Sequence, residues 1–246
     1  MIVKLPNNKL RVLSVNEKEL LSSWSNVFSK EFLNSYYMQN LLSFLHIKYS
    51  SKSYLLRPVE KNKIFAPFKM CNYADLKVVL IGEYPSVVPR SNNVLNGCSW
   101  YVNETAITPE LSQIKRCIEN TIYDGLQIHF DNSLHNWGEQ GVLPINMCLT
   151  GTAKNQAAHT KYWKPFMIEL IEQISSKNAG IIFAFIGRAC DLSNYIKDKH
   201  YHKIVTEPTS LAACVNSNGI WMSDIFRKID TELLKLHGNN NYRIEW

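Results

Sequence analysis

The sequence predicts an α/β protein: a three-layer α/β/α sandwich with a short central parallel four-stranded sheet. Two observations carry this prediction. Four short β-rich apolar runs, LKVVLIG (76–82), GVLPINMC (141–148), AGIIFAFIG (179–187) and HKIVT (202–206), each stop at glycine or polar residues. Helical patterns lie between them, and strands alternating with helices read as a parallel sheet covered on both faces.

In chain order, residues 16–47 read as mainly helical, from VNEKELLSSWSNVF to YMQNLLSFLH. SSKSYLLRPVEKNKIFAPFK follows as a connecting segment broken by Pro58 and Pro67. After the first strand come the helical pattern ELSQIKRCIENTIYDG and then the second strand. WKPFMIELIEQISSK precedes the third strand, the weaker ACDLSNYIKDKH precedes the fourth, and WMSDIFRKIDTELLKLH is the last helix. No repeat, low-complexity tract or linker-like shift interrupts the chain. Residues 1–246 therefore read as a single domain, with residues 1–63 a helical N-terminal extension packed on it.

The length of 246 residues suits a sizeable core, and 46% apolar content is ordinary for a globular protein. Lys and Arg number 27 against 21 acids, a net charge of +6 that is compatible with a nucleic-acid partner without demanding one. The six cysteines are scattered with no C-x-x-C pair, which reads as reduced, mostly buried thiols. The opening MIVKLPNNKLRVLSV lacks a signal-peptide pattern, and no apolar run reaches the roughly 18 residues of a membrane span. The expected setting is intracellular, in cytoplasm or nucleus of a host cell, with no membrane partner. His200 and His202 read as a solvated pair without a third ligand, so no metal site is expected.

In a parallel sheet the ligand site lies beyond the carboxyl ends of the strands. Those ends here are Gly82 to Val87, Asn146 to Thr150, Gly187-Arg188 and Thr206 to Leu211. The segments LKVVLIGEYPSV, NGCSWYV, WGEQGVLPINMCLTGTA, HTKYWKPF, FAFIGRA, TEPTSLA and the terminal RIEW resemble, in order and spacing, a family-1 uracil-DNA glycosylase. The resemblance runs from about Phe65 to the C-terminus, and WGEQGVLPINMCLT is its most specific piece. It implies a uracil-DNA-glycosylase-like fold and a protein that flips a base out of DNA and hydrolyses its N-glycosidic bond, without metal or cofactor.

The same resemblance assigns roles. Gly82, Glu83, Tyr84, Ser86, Trp100 and Asn146 fall at substrate-binding positions, with Trp100 as the base platform and Asn146 as the amide that reads the base edge. Pro109, Gly187, Arg188, Thr209, Ser210 and Leu211 fall at DNA-binding positions, with Leu211 as the apolar wedge and Arg188 at a phosphate contact. Two catalytic positions differ. Where the family has Gly-Gln-Asp-Pro-Tyr-His this chain reads GEYPSV, so the water-activating aspartate is Tyr84. Where the family has His-Pro-Ser-Pro-Leu it reads EPTSL, so the histidine stabilising the leaving uracil anion is Glu207. Losing both typically removes roughly 6 kcal/mol of transition-state stabilisation if the effects are independent.

Ser86 replaces a tyrosine that packs against C5 of uracil, which implies a pocket open to 5-substituted pyrimidines. Glu110, in AITPELS, replaces a serine and weakens a phosphate contact. His159 is expected to be structural. The leading expectation is a catalytically inactive or strongly impaired homologue acting as a DNA-binding or protein-interaction module. Its DNA would be ordinary, uracil-containing or carry a modified base, and a protein partner would belong to a replication, repair or counter-defence assembly. One alternative is an active glycosylase of altered specificity that uses Glu83 or Glu207 as base. The other is a decoy for glycosylase-directed proteins. The Asn- and Lys-rich composition fits an AT-rich viral or phage genome.

Overall fold

The computed structural model describes residues 23–50, 56–58, 61–86, 107–238 and 242–246. In chain order the elements are α1 (Lys30–Asn34), α2 (Tyr36–Ser50), β1 (Leu56–Arg57), α3 (Pro67–Met70), β2 (Val78–Gly82), α4 (Pro109–Thr121) and α5 (His135–Glu139). There follow β3 (Val142–Asn146), β4 (Gly151–Thr152), α6 (Thr160–Lys177), β5 (Ile182–Ile186), a 3-10 helix (Gly187–Tyr195), β6 (Lys203–Glu207), α7 (Leu211–Asn216) and α8 (Ile225–His237).

All four predicted strands form one parallel sheet in the order β3-β2-β5-β6. Side chains alternate across a strand, so β2, β3 and β5 each feed two cores, while β6 at the edge buries only Val205. Val79, Ile81, Leu143, Ile145, Phe183 and Phe185 face a core shared with α2, α3 and α6. Val78, Leu80, Val142, Ile182, Ala184 and Ile186 face a second core built with α4, α5 and α8. Burial on both faces explains why these strands read as continuous apolar runs rather than alternating ones. Pro144, which cannot donate to a ladder, sits in β3 at the sheet edge, where one side of the strand needs no partner.

Within the connecting segment β1 pairs antiparallel with β4, Leu56 opposite Thr152 and Arg57 opposite Gly151. ACDLSNYIKDKH forms 3-10 turns rather than an α-helix. Of the N-terminal region, residues 1–22 lie outside the described residues. Trp24, Phe28, Phe32 and the buried face of α2 join the same core as the sheet. At the other end, Trp246 packs edge-on against Trp137 (5.3 Å) and near Phe226 (4.9 Å). Its indole N–H donates to Asp230 Oδ1 at 3.1 Å.

His202 corrects the expectation of a solvated pair. It is 3% exposed, with Nε2 2.8 Å from the Ser175 carbonyl and Nδ1 accepting the Ile181 N–H at 3.3 Å. The carbonyl can only accept, so Nε2 carries the proton and both ring nitrogens are engaged. No helix among the described residues is long and apolar enough to cross a membrane.

Candidate functional site

The sheet places its switch point between β2 and β5: the chain leaves β2 toward β3 on one side and leaves β5 toward β6 on the other. In such sheets the crevice at the switch point is the natural ligand site. Here that crevice holds Glu83, the residue after β2, which is 5% exposed. Its Oε1 accepts the backbone N–H of Arg188 at 3.2 Å, and its Oε2 accepts the hydroxyl of Ser210 at 2.6 Å. Ser210 Oγ in turn accepts the Ala213 N–H at 3.1 Å as the N-cap of α7.

Gly187 makes room for this carboxylate. Its φ is +62°, and a Cβ there would lie 2.4 Å from Glu83 Cδ. One carboxylate thus joins the loops that follow β2, β5 and β6. The Arg188 side chain itself is exposed on this rim.

Beyond Glu83, Tyr84 is half-buried and packs on the α6-side core, and Pro85 is buried. Ser86 is 4% exposed and donates its hydroxyl to Glu110 Oε2 at 2.8 Å. Glu110, 8% exposed, lies in the first turn of α4, whose N-cap Thr108 accepts the Leu111 N–H at 3.0 Å. A carboxylate is favoured there by the helix dipole, and when buried it needs a donor, which Ser86 supplies. Ser86 and Glu110 thus form a buried pair, and the segment 87–106 that follows Ser86 lies outside the described residues.

Asn146 ends β3 opposite Gly82 and is fully buried, while the next residue, Met147, donates its N–H to Gly82 O at 2.8 Å. Behind it, Trp163 Nε1 donates to Thr150 Oγ1 at 2.7 Å. The Thr150 hydroxyl proton is then left for His159 Nδ1, 2.9 Å away. Burial, with Lys48 adding to it, pushes His159 down to about 4, so the ring is neutral at neutral pH.

Glu207 ends β6. Its Oε1 accepts the Thr209 N–H at 2.9 Å and its Oε2 accepts the Ser223 hydroxyl at 2.6 Å. Partial burial disfavours its charge, but the hydrogen bonds from Ser223 and Thr209 outweigh that and hold the carboxyl below its ordinary range. An ionised Glu207 cannot donate a proton, and it repels negative charge developing nearby.

The loop Pro208-Thr209 is exposed. Leu211 is not: it is 2% exposed and packs in the α4–α8 core. Its placement as an apolar wedge is therefore corrected, because the Ser210 cap starts α7 with Leu211 turned inward against α4. Trp100 lies outside the described residues, and Pro109 opens α4 with an exposed ring.

The structure thus brings together Gly82, Glu83, Gly187, the Arg188 backbone and Ser210. Glu207, Thr209 and Ser223 form a second group, and Ser86 with Glu110 a third. Ser223 was missed from sequence. Its signal was present in MSDIF, where Ser223 Oγ accepts the Ile225 N–H at 3.1 Å at the start of α8. Among the described residues no cluster of three or more His, Cys, Asp or Glu side chains is arranged to hold a metal ion.

No family model matches the chain. It is 29% identical over 229 residues to a uracil-DNA glycosylase of Flavobacterium johnsoniae, covering 92% of this chain and 97% of that one. A uracil-DNA glycosylase of Bacillus cytotoxicus is 29% identical over 234 residues, covering 94% of this chain and 97% of the relative. Among solved structures, mimivirus uracil-DNA glycosylase superposes with a TM-score of 0.72 at 20% identity, covering 93% of this chain and 89% of that one. A variant of the mimivirus enzyme in complex with UGI gives 0.74 at 23% identity, covering 94% and 91%. The fold is that of these glycosylases, and the chain is similar over nearly its whole length to proteins of that name.

Proposed function

We propose that the chain is a uracil-DNA-glycosylase-like DNA-binding module that excises bases weakly or not at all, its residues 1–63 an extension of one domain. The observation that carries this is the state of the two strand-end carboxylates. Glu83 bridges three loops through both oxygens, and Glu207 is held ionised by Ser223 and Thr209. N-glycoside hydrolysis needs a base to activate water and a group to stabilise the departing anion. A carboxylate engaged in the scaffold is poorly placed for the first task, and an anion at Glu207 opposes the second. Tyr84, at the position of the family's aspartate, has no carboxylate to offer.

DNA remains the favoured partner because the relatives are named for acting on it, and because Arg188 is exposed beside the Pro208-Thr209 loop. In this reading Arg188, Thr209 and Ser210 meet the backbone, while Gly82, Ser86, Asn146 and Trp100 line the place of a flipped base.

The names of the relatives favour a second reading, an active glycosylase, in which we would assign the role of base to Glu83 or Glu207. The test is incubation with single- and double-stranded oligonucleotides containing uracil, a thymine mismatch or hydroxymethyluracil, scoring released base beside an active glycosylase. No release together with salt-sensitive DNA binding supports the module. Release abolished by Glu83→Gln or Glu207→Gln in a folded protein refutes it. A protein partner, by analogy with the mimivirus structure bound to UGI, would be indicated if a partner is retained when Arg188 and Asn146 are both replaced.

A further inference from the structure

We propose that β6 is a self-complementary sheet edge that pairs antiparallel with β6 of a second copy of this chain, about a two-fold axis at Val205. β6 is the last strand of the sheet, and among the described residues no strand pairs with its outer side. Lys203 donates its N–H to Ile181 O at 3.1 Å. By the alternation of a parallel ladder, Lys203, Val205 and Glu207 direct their backbone groups to β5, and Ile204 and Thr206 direct theirs outward. Ile204 (38% exposed) and Thr206 also have exposed side chains. An uncovered edge of this kind is a template for another strand.

The sequence of the strand selects the occupant and the register. Read against itself in the opposite direction, Lys-Ile-Val-Thr-Glu sets Lys203 opposite Glu207, Ile204 opposite Thr206 and Val205 opposite Val205. Both Ile204–Thr206 pairs then exchange N–H···O=C bonds through their outward groups, and unlike charges meet at both ends. A shift of two residues one way would bring Pro208, which has no N–H, into a bonded position. A shift the other way would oppose Lys203 to Val205 and leave both charges unmatched.

Flanking apolar surface extends the contact. Tyr201, 55% exposed just before β6, falls opposite the partner's Thr209 in the same register. Thr209 O accepts Trp221 Nε1 at 3.1 Å, and the neighbouring Met222 is 48% exposed. The two-fold axis repeats both contacts, as an isologous interface requires. The β6 ladder does not rest on the DNA reading, although the flanking contact at Thr209 and DNA would compete for that loop.

Sedimentation equilibrium of the full chain over a concentration series tests this. A reversible doubling of mass is expected. Thr206→Pro removes an outward N–H without touching the β5 ladder and should weaken self-association on the order of tenfold or more, because each copy loses a ladder bond. Thr206→Val keeps the N–H and should retain the dimer. Lys203→Glu places like charges opposite one another twice and should weaken it most at low salt; it decides the matter if Thr206→Pro does not fold by circular dichroism. A monomer at every concentration overturns the pairing and leaves the edge to a strand of another protein. A dimer unaffected in a folded Thr206→Pro or Lys203→Glu variant overturns it as well.

Discussion

Replacing Glu83 separates a scaffold role from a catalytic one. In Glu83→Ala, the Arg188 N–H and the Ser210 hydroxyl both lose a charged acceptor at a position 5% exposed. Hydrogen bonds to charged groups contribute roughly 1.5–3 kcal/mol each, so the upper bound is near 6 kcal/mol, and water entering at the rim lowers the expected loss to about 3–5 kcal/mol. Glu83→Gln is a different perturbation. Its Oε1 still accepts from Arg188, and its Nε2 donates to Ser210 Oγ, which has a lone pair left after accepting from Ala213. That variant should cost about 1 kcal/mol or less. Urea unfolding followed by tryptophan fluorescence measures both, and the midpoint should move far more for Ala than for Gln. Equal effects, or an Ala variant within about 1 kcal/mol of the parent, would show that the carboxylate does not hold the loops together. A Gln variant that is stable but loses base release would return Glu83 to the role of a base.

Gly187→Ala should cost about 2–4 kcal/mol, combining left-handed backbone strain with the 2.4 Å approach of its Cβ to Glu83 Cδ. In a double-mutant cycle with Glu83→Ala the two losses should add to less than their sum, and strict additivity would separate the two sites. Arg188→Glu should reduce DNA affinity and flatten its dependence on salt, measured by fluorescence anisotropy; unchanged binding removes Arg188 from the interface. Asp230 is raised to about 6 by burial, against hydrogen bonds from Trp246 and Ile244 and the charge of Arg243. A carboxyl raised in the folded state contributes stability that is full below its unfolded value near 3.8 and is lost as pH rises through about 6. Asp230→Asn should therefore remove a fall in stability on the order of 2–3 kcal/mol between pH 4 and 7, read from urea midpoints, and an unchanged pH profile would contradict the assignment.

Much of the fold was legible in the sequence because the signals involved are local. Four apolar runs ending in glycine or polar residues marked β2, β3, β5 and β6 to within two or three residues, and helical periodicity located α4, α6 and α8. The same reading placed the informative residues at one rim, since strand ends follow directly from strand assignments. It missed β1 and β4, each two residues long and too short to carry a period. It also gave ACDLSNYIKDKH the wrong helix type, because a weak apolar stripe does not distinguish α from 3-10 turns.

What each rim residue does was decided only by tertiary structure. Glu83 meets Arg188 across 105 positions of sequence and Ser210 across 127, and Ser86 meets Glu110 across 24. No local pattern reports such pairs. Leu211, which resembled an exposed wedge, and His202, which resembled a solvated ring, were both buried by neighbours that the fold brings to them. A residue's type sets which hydrogen bonds and charges it can offer, but burial and partners determine which are used. At this rim those partners come from loops on different strands, joined only when the sheet has formed.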